Sequence, residues 1–239
     1  MKKTLYILAM SAVFFSCQEK KYGAFTFSGK IEHAEKQKLF LQEIPFAGDQ
    51  PIIIDSTTIA SNGDFILRGI GKEEGLYRMV IENGPDVLLI NDAKNIKLQL
   101  DLNNYRAYKI SGSDASESLH KLFETYRTKD SVLYQTFLQL DTLQKQGVND
   151  SILGMVRTRR DMQITDMNTQ IRDFINQSNS AAARYYALGM ASRTMKQEEV
   201  LALAVASADK FKEHSGLSKI KSLLTVQRPE TPAYPLMNK

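Results

Sequence analysis

The stretch IIIDSTTIASNGDFILRG, residues 52–69, indicates the fold more clearly than any other part of the chain. β-Branched apolar residues open it, and apolar side chains then alternate along residues 65–68, which is typical of two β-strands. Asn62-Gly63 lies between these strands and tolerates the positive φ that a tight turn needs. The stretch therefore predicts a β-hairpin.

The register of this hairpin depends on the length of its loop. A two-residue loop would pair Ala60 with Phe65, whereas a three-residue loop that includes Asp64 would place Ile59 opposite Leu67. We expect the longer loop, because it keeps Ile59 on the apolar face and a slip of one residue would move a whole apolar set to the wrong side.

Short strands also flank the predicted hairpin. Segments with strand character, separated by Gly, Asn and Asp, lie at residues 25–29, 38–42, 76–81, 87–90, 96–100 and 108–110. Residues 96–100 alternate strictly, so one face of that strand should be wet. With the two hairpin arms, these eight strands predict an antiparallel sandwich or a jelly-roll-like pair of sheets over residues 24–113.

Helical spacing begins at residue 114. Asp114 and Glu117 form a plausible N-cap and N3 pair, and apolar residues then follow a single helical stripe: Leu119, Leu122, Phe123, Tyr126, Leu133, Phe137, Leu140 and Leu143. Residues 146–150 break the pattern, with Asn149 or Asp150 capping a second helix that includes Ile152 and runs to about residue 175. Gly147 favours an antiparallel helical hairpin.

Three shorter helices are predicted at residues 180–190, 198–211 and 218–226. The expected fold class is therefore α+β, an antiparallel β-sandwich-like N-terminal module (24–113) followed by an α-helical domain (114–227). Residues 228–239 contain three prolines and predict an extended, flexible tail.

The N-terminus, MKKTLYILAMSAVFFSC, has the form of a secretion signal. Two lysines precede an apolar run of eleven residues, which suits a signal-peptide core better than a membrane span. Ser16 then precedes Cys17. This pattern resembles a bacterial lipoprotein signal (1–16) with a tether (17–23), which implies lipidation and acylation at Cys17, although Phe14 stands where the usual lipobox has Leu. The alternative is an ordinary secretory signal with a chance cysteine.

Composition narrows the classes of function. Cys17 is the only cysteine, so the sequence offers no internal disulfide, no CxxC redox pair and no zinc site made of cysteines. Residues 1–16 carry two lysines and no acid, which leaves 29 basic and 27 acidic residues in the rest of the chain. This balance does not indicate a nucleic-acid partner.

A few residues stand out as candidates for chemistry. Asp55-Ser56 and Asp64 could belong to an acid or nucleophile arrangement, but no histidine lies near them in sequence, and the Asp-Ser pair is expected to bond neighbouring backbone. His33, His120 and His214 fall in a loop, a helix start and a helix end without the spacing of a metal motif. Helix dipoles favour His214 near a C-terminus.

Two further segments have a possible binding role. Tyr185-Tyr186 could form a binding surface, although core packing is the preferred interpretation, and the charged run at residues 157–161 is expected to be a solvated face. The sequence therefore names no catalytic residue, no cofactor and no metal ligand.

The order of motifs along the β module resembles a known family. The motifs are a G-x-I at Gly29, KLFLQE, IDS, NGDFILRG, GLYRM and finally ISGS ending at Ser113. In this order they are similar to the N-terminal domain of unknown function of TlpA/ResA-like thiol-disulfide interchange lipoproteins of Gram-negative bacteria. The family resemblance implies a thioredoxin-like domain with a W-C-x-x-C motif, which this sequence does not contain.

The leading hypothesis is therefore a non-catalytic binding or scaffolding lipoprotein. The expected location is the cell envelope of a Gram-negative bacterium, with the outer membrane favoured over the inner one. The membrane and an envelope protein are the expected partners, and no ligand is named. One alternative is a truncated or split thiol-disulfide interchange protein whose redox domain is missing or on another chain. Another is a carboxylate-dependent hydrolase.

Overall fold

The N-terminal half of the chain forms two β-sheets. The computed structural model describes residues 22–46, 48 and 50–226. Its eight strands are β1 (Ala24–Glu32), β2 (Lys38–Ile44), β3 (Ile52–Thr58), β4 (Asp64–Ile70), β5 (Leu76–Ile81), β6 (Asp86–Ile90), β7 (Asn95–Asp101) and β8 (Lys109–Ser111). Sheet A has the order β4-β1-β7-β8, and sheet B has the order β3-β2-β5-β6. The predicted strands and sandwich are confirmed.

One strand pair breaks the antiparallel pattern. β1 and β7 run parallel, while the other five pairings are antiparallel. Sequence alternation alone did not indicate the parallel pair, because both kinds of pairing place side chains on opposite faces with the same period.

The predicted hairpin at residues 52–69 is wrong in its pairing. β3 lies at the edge of sheet B and β4 lies at the edge of sheet A, so the turn at Asn62-Gly63 carries the chain from one sheet to the other. The expected pairing of Ile59 with Leu67 does not form. Instead Leu67 pairs with Phe27. Ile59 is fully buried, because crossing between the sheets brings its side chain into the apolar space they enclose.

The space between the sheets is filled by alternate residues of both. Phe25, Phe27 and Tyr77 form an aromatic group with ring centroids 4.7–5.9 Å apart. In β7 the apolar residues are buried, whereas Lys97 and Gln99 are exposed, as the alternation predicted. Aromatic contacts of this kind add stability beyond the buried area.

Five helices follow the sheets. They are α1 (Asp114–Lys145), α2 (Asp150–Gln177), α3 (Ala181–Ala191), α4 (Gln197–Lys210) and α5 (Ser215–Val226). α1 and α2 form the predicted antiparallel hairpin, and the Asn149 side chain caps α2. The predicted N-cap Asp114 is wrong: Ser113 caps α1 by accepting the Ser116 N–H. α5 also begins three residues earlier than predicted.

The predicted stripe on α1 is only partly buried. Leu119, Leu122, Leu133 and Leu140 are buried, but Phe137 is 45% exposed. On α2, Ile152 is likewise 38% exposed. Phe137 lies one position beyond Thr136, which is buried. The inner face of the hairpin therefore follows a narrower track than apolar spacing alone suggested.

The helices cover part of the outer face of sheet B. Leu76 and Ile90 belong to the same apolar cluster as the small residues of α3, including Ala183 and Ala187. Alanines let a helix approach the sheet closely. Sheet A, sheet B and the helices therefore form three layers along this part of the molecule.

Three carboxylates fasten the sheets to the helices. Glu74 accepts hydrogen bonds from Ser180 Oγ and from the Ala182 N–H at 3.0 Å. Glu73 accepts the Ser215 N–H at 2.8 Å, and Asp92 accepts the Ala115 N–H at 3.0 Å. Each carboxylate lies at a different helix N-terminus, where partial positive charge and unpaired N–H groups favour an anion. His214 lies beside them, with its Nε2 2.8 Å from the Glu74 carbonyl oxygen. We call Glu73, Glu74, Asp92 and His214 the cap junction.

Within the described residues no helix is long and apolar enough to cross a bilayer. The predicted signal peptide, Cys17 and the tail at 228–239 lie outside the described residues.

Candidate functional site

The structure places Asp55 and Ser56 in a backbone-bonding role. Asp55 accepts the Ser56 N–H at 2.8 Å and the Arg68 N–H at 2.7 Å, so its carboxylate joins the edges of β3 and β4. The pairing of β2 with β3 shifts register beside it, between Leu41 and Gln42. The expectation of backbone bonding is confirmed. Asp64 is likewise local, because it exchanges hydrogen bonds with Asn62 across the turn.

The three histidines lie apart from one another. His33 forms an exposed pair with Asp101 at 2.7 Å. His120 stacks on Tyr108 with a centroid distance of 3.9 Å. Burial lowers the pKa of His120, and neighbouring Arg127 adds to that effect while Glu124 opposes it. Among the described residues, no group of three His, Cys, Asp or Glu side chains is placed to hold a metal ion.

His214 differs from its prediction. It precedes α5 and is buried, and its Nδ1 accepts the Leu217 N–H at 3.2 Å. The proton therefore belongs on Nε2, which donates to the Glu74 carbonyl at 2.8 Å. His214 therefore lies at the N-terminus of α5 and not at a helix C-terminus, because α5 begins at the next residue.

A cavity of about 460 Å³ lies where sheet B, sheet A and the helices meet. Its walls carry three arginines and three tyrosines: Arg78, Arg106, Arg127, Tyr105, Tyr108 and Tyr186. We call this cavity the arginine–tyrosine groove. Its volume falls in the range of pockets that bind small molecules or short segments of chain. Asp86 is the one acidic residue among the lining residues, and Glu124 on α1 pairs with Arg127, so the groove has an excess of one positive charge.

Each arginine comes from a different layer. Arg78 projects from β5, its Nε and Nη2 donate to Gln42 Oε1 at 3.0 and 2.7 Å, and its Nη1 lies 3.6 Å from Asp86 Oδ2. Arg106 lies in the loop before β8, with its guanidinium 5.7 Å from the Tyr105 ring centre. Arg127 lies on α1, 3.0 Å from Glu124. Gln42 therefore fixes Arg78 before any ligand arrives, while Arg106 is exposed and has no carboxylate partner among the described residues.

The groove continues into a second cavity of about 440 Å³. The two share Ile44, Phe123 and Tyr186 as walls. The second cavity adds Tyr185 and Arg193. The prediction that Tyr185 and Tyr186 serve core packing is thus incomplete: both are half-buried against the helical core, and both also line a cavity.

Raised pKa values keep the tyrosine hydroxyls of the groove protonated. Burial raises the pKa of Tyr108 to about 12, with a further contribution from Glu124. Burial also raises the pKa of Tyr186. At neutral pH both hydroxyls therefore remain protonated and able to donate a hydrogen bond, which suits them, like the arginines, to an anionic acceptor.

One sequence pattern, the Tyr-Arg dipeptide, marks the arginines of this groove. Each of the three Tyr-Arg dipeptides in the chain, at 77–78, 105–106 and 126–127, contributes its arginine to the groove. The run at 157–161 does not reach it, and Arg160 pairs with its neighbour Asp161.

The N-terminal part of the chain matches one known family. Residues 23–119 match the model of a domain of unknown function, DUF4369. This segment contains all eight strands and the start of α1. It therefore supplies Arg78 and Arg106 of the groove but not Arg127. No curated protein matches the chain.

Proposed function

We propose that this protein is a lipid-anchored, non-catalytic binding protein of the bacterial cell envelope, and that the arginine–tyrosine groove binds an anionic ligand. The observation that carries the proposal is the charge of the groove: Arg78 lies 3.6 Å from Asp86 and Arg127 lies 3.0 Å from Glu124, which leaves the guanidinium of Arg106 as the excess positive charge beside aromatic walls. Guanidinium groups bind carboxylates and phosphates through paired, charge-assisted hydrogen bonds.

The geometry favours binding over turnover. Arg78 is held by Gln42, Arg127 lies beside Glu124, and the phenols are protonated, so these groups recognise charge without a nucleophile and base in contact. The lipoprotein-like N-terminus supports the anchor, since several acyl chains on one residue give stable attachment. The motif order from Gly29 to Ser113 supports kinship with TlpA/ResA-like lipoproteins, from which we take the binding module and not the redox activity.

Titration with benzene-1,3-dicarboxylate tests the groove, because this probe joins two carboxylates to an aromatic ring. Amide NMR shifts should map to the groove, and the neutral diamide of the same ring should cause none. Arg106→Gln and Arg127→Gln should each weaken binding by about tenfold, since each removes a charge-assisted hydrogen bond.

Arg157→Gln is the matched control, because Arg157 is an exposed arginine on α2 outside the groove. Its affinity should equal that of the wild type. Equal affinity in the Arg106→Gln/Arg127→Gln double variant and the wild type would refute the groove as the binding site.

Membrane fractionation tests the anchor separately. Cys17→Ala should move the protein from the membrane fraction to the supernatant, because the acyl chains would have no attachment site. Continued membrane association of the variant would count against lipidation at Cys17, whatever the outcome for the groove.

A further inference from the structure

We infer that the ligand of the groove is an extended acidic peptide segment, which adds a fifth strand to sheet B along the outer edge of β6. The inference rests on the proposed function, because it names the class of ligand for the same groove. It depends on which backbone groups of β6 are paired and which are open.

The direction of the backbone groups follows from the pairing of β5 with β6. Ile81 N–H donates to the Pro85 carbonyl at 3.4 Å, so Pro85 points toward β5. Tyr77 pairs with Leu89 in the same ladder. Because backbone groups alternate in direction along a strand, those of Asp86, Leu88 and Ile90 point away from β5, toward the outer edge.

Helix α1 covers this edge at one end only. The Ile90 N–H donates to Ser116 Oγ at 2.8 Å, and the Ile90 carbonyl accepts from Ser113 Oγ and Ser116 Oγ at 3.4 and 3.3 Å. In the part of the chain that the structure describes, the outward N–H and carbonyl of Leu88 have no such partner. The open segment of the edge is therefore Asp86–Leu88.

The open segment borders the groove. Asp86 and Leu88 line the same cavity as Tyr105 and Arg106. A strand added to β6 would run about 4.8 Å from it, on the side that these residues border. An extended polypeptide presents N–H and carbonyl groups at the repeat that an open strand edge matches, which is the basis of recognition by strand addition.

Charge selects acidic side chains on that strand. Arg78 is directly opposite Leu88 in the ladder, so its guanidinium lies beside the open segment. Arg106, which has no carboxylate partner among the described residues, and Arg127, which lies 3.0 Å from Glu124, line the same groove. Side chains at alternate positions of an extended peptide share one face, so two carboxylates two residues apart would both face arginines.

The opposite corner of the sandwich shows how this protein closes an edge. There the outward N–H of Arg68 on β4 donates to Asp55 Oδ2 at 2.7 Å. Open edges invite pairing with other chains, and proteins usually block them. The edge of β6 at Leu88 lacks this kind of block, and it is the one that borders the positively charged groove.

Binding of a labelled peptide, acetyl-VEVEV-amide, to the full-length protein by fluorescence anisotropy tests the inference. Two further peptides carry N-methyl groups on alternate amides, one on the valines and one on the glutamates. Because successive N–H groups of a strand point to opposite sides, one methylated peptide should bind about tenfold more weakly and the other should bind like the parent. A peptide with Lys in place of Glu should not bind.

Leu88→Pro removes the outward N–H of β6 and leaves the bonds to β5 intact, so it should weaken parent binding by about tenfold. Leu88→Ala separates the side chain from the N–H and should bind more tightly than Leu88→Pro. Ile66→Pro is the matched control, because its N–H also points outward from an edge strand, β4, far from the groove. It should bind like the wild type.

Equal binding of the parent and both methylated peptides would overturn strand addition. If benzene-1,3-dicarboxylate still bound through Arg106 in that case, the proposed function would stand. Failure of the parent peptide to bind, with the dicarboxylate still binding, would also overturn the inference. If Leu88→Pro lost its cooperative thermal transition, the variant would be unfolded, and the binding of the two methylated peptides to the wild-type protein would then test strand addition.

Discussion

Two polar clusters lie at the boundary between sheet B and the helices, and they handle charge in opposite ways. In the cap junction, the carboxylates of Glu73 and Glu74 meet helix N-termini and neighbouring hydroxyl groups. In the groove, three guanidinium groups have two carboxylate partners, and Arg106 has none among the described residues. Charge that meets hydrogen-bond donors of the protein itself holds a fold together. Charge that exceeds its partners in an open cavity remains available to a ligand.

The cap junction is therefore expected to contribute to stability, and the groove to binding. Glu74 and Arg106 both lie where strands meet helices, yet Glu74 is buried and Arg106 is exposed. Removing a member of the cap junction should therefore change the free energy of unfolding, and removing a member of the groove should change affinity. The predictions below measure that difference.

Glu74→Ala should have the largest effect. The change leaves Ser180 Oγ and the Ala182 N–H without their acceptor in a buried place. We expect the free energy of unfolding to fall by about 3 kcal/mol, measured by urea denaturation. Glu35→Ala, at an exposed glutamate, is the control and should change it by about 0.5 kcal/mol or less. A loss below about 1 kcal/mol for Glu74→Ala would show that the junction is not a major contributor.

His214→Ala should follow with a smaller loss. It removes the acceptor of the Leu217 N–H and the donor to the Glu74 carbonyl. We expect about 2 kcal/mol of destabilisation in the same assay. His33→Ala serves as the comparison, because His33 has one exposed partner, Asp101, and should cost well under about 1 kcal/mol. Similar losses for the two variants would contradict the assignment of His214 as a helix cap.

The pH dependence of Glu74 should give a smaller change still. Burial raises the pKa of Glu74 above its usual 4.5, with Asp92 adding to the effect, while Ser180, the Ala182 N–H and His214 oppose it. The folded protein then holds the proton more readily than the unfolded chain. The stability of the wild type relative to Glu74→Gln should be greatest below pH 4.5 and should decline as pH rises through the raised pKa.

Urea denaturation of the two proteins across that range measures the difference directly, because Gln does not titrate and the other groups cancel. A difference that grows with pH would mean that the helix N-terminus stabilises the ionised carboxylate more than burial opposes it.

Arg106→Ala should have the smallest effect on the fold. Arg106 is exposed, and its ring partner is the adjacent Tyr105. The free energy of unfolding should change by about 0.5 kcal/mol or less, although the variant should lose affinity for benzene-1,3-dicarboxylate. A loss as large as that of Glu74→Ala would erase the distinction between the two clusters.

Much of the fold could be predicted from the sequence. The eight strands follow from alternating apolar residues between turn residues, and α1 and α2 follow from their spacing and from Asn149. The partners of the strands could not be predicted from these signals. A hairpin and a crossing between sheets both need two apolar strands joined at Asn62-Gly63, and the contact that distinguishes them, Asp55 with the Arg68 N–H, depends on the tertiary arrangement.

The groove escaped prediction for a related reason. Its arginines come from β5, from the loop before β8 and from α1, so no local pattern brings them together. The three Tyr-Arg dipeptides are a weak signal that acquires meaning only once the layers are stacked. The capping roles of Glu73 and Glu74 are equally non-local, since they accept N–H groups 142 and 108 residues away along the chain.

The order of strands in sheet A also sets how this protein can assemble. β1 ends at residue 32, but its two neighbours, β4 and β7, end only at residues 70 and 101. Because distant segments must meet before either side of β1 is paired, sheet A should form late and slowly. During that interval both edges of an apolar strand are open to neighbouring chains. The first strand is therefore the segment that most needs protection from aggregation while the chain folds.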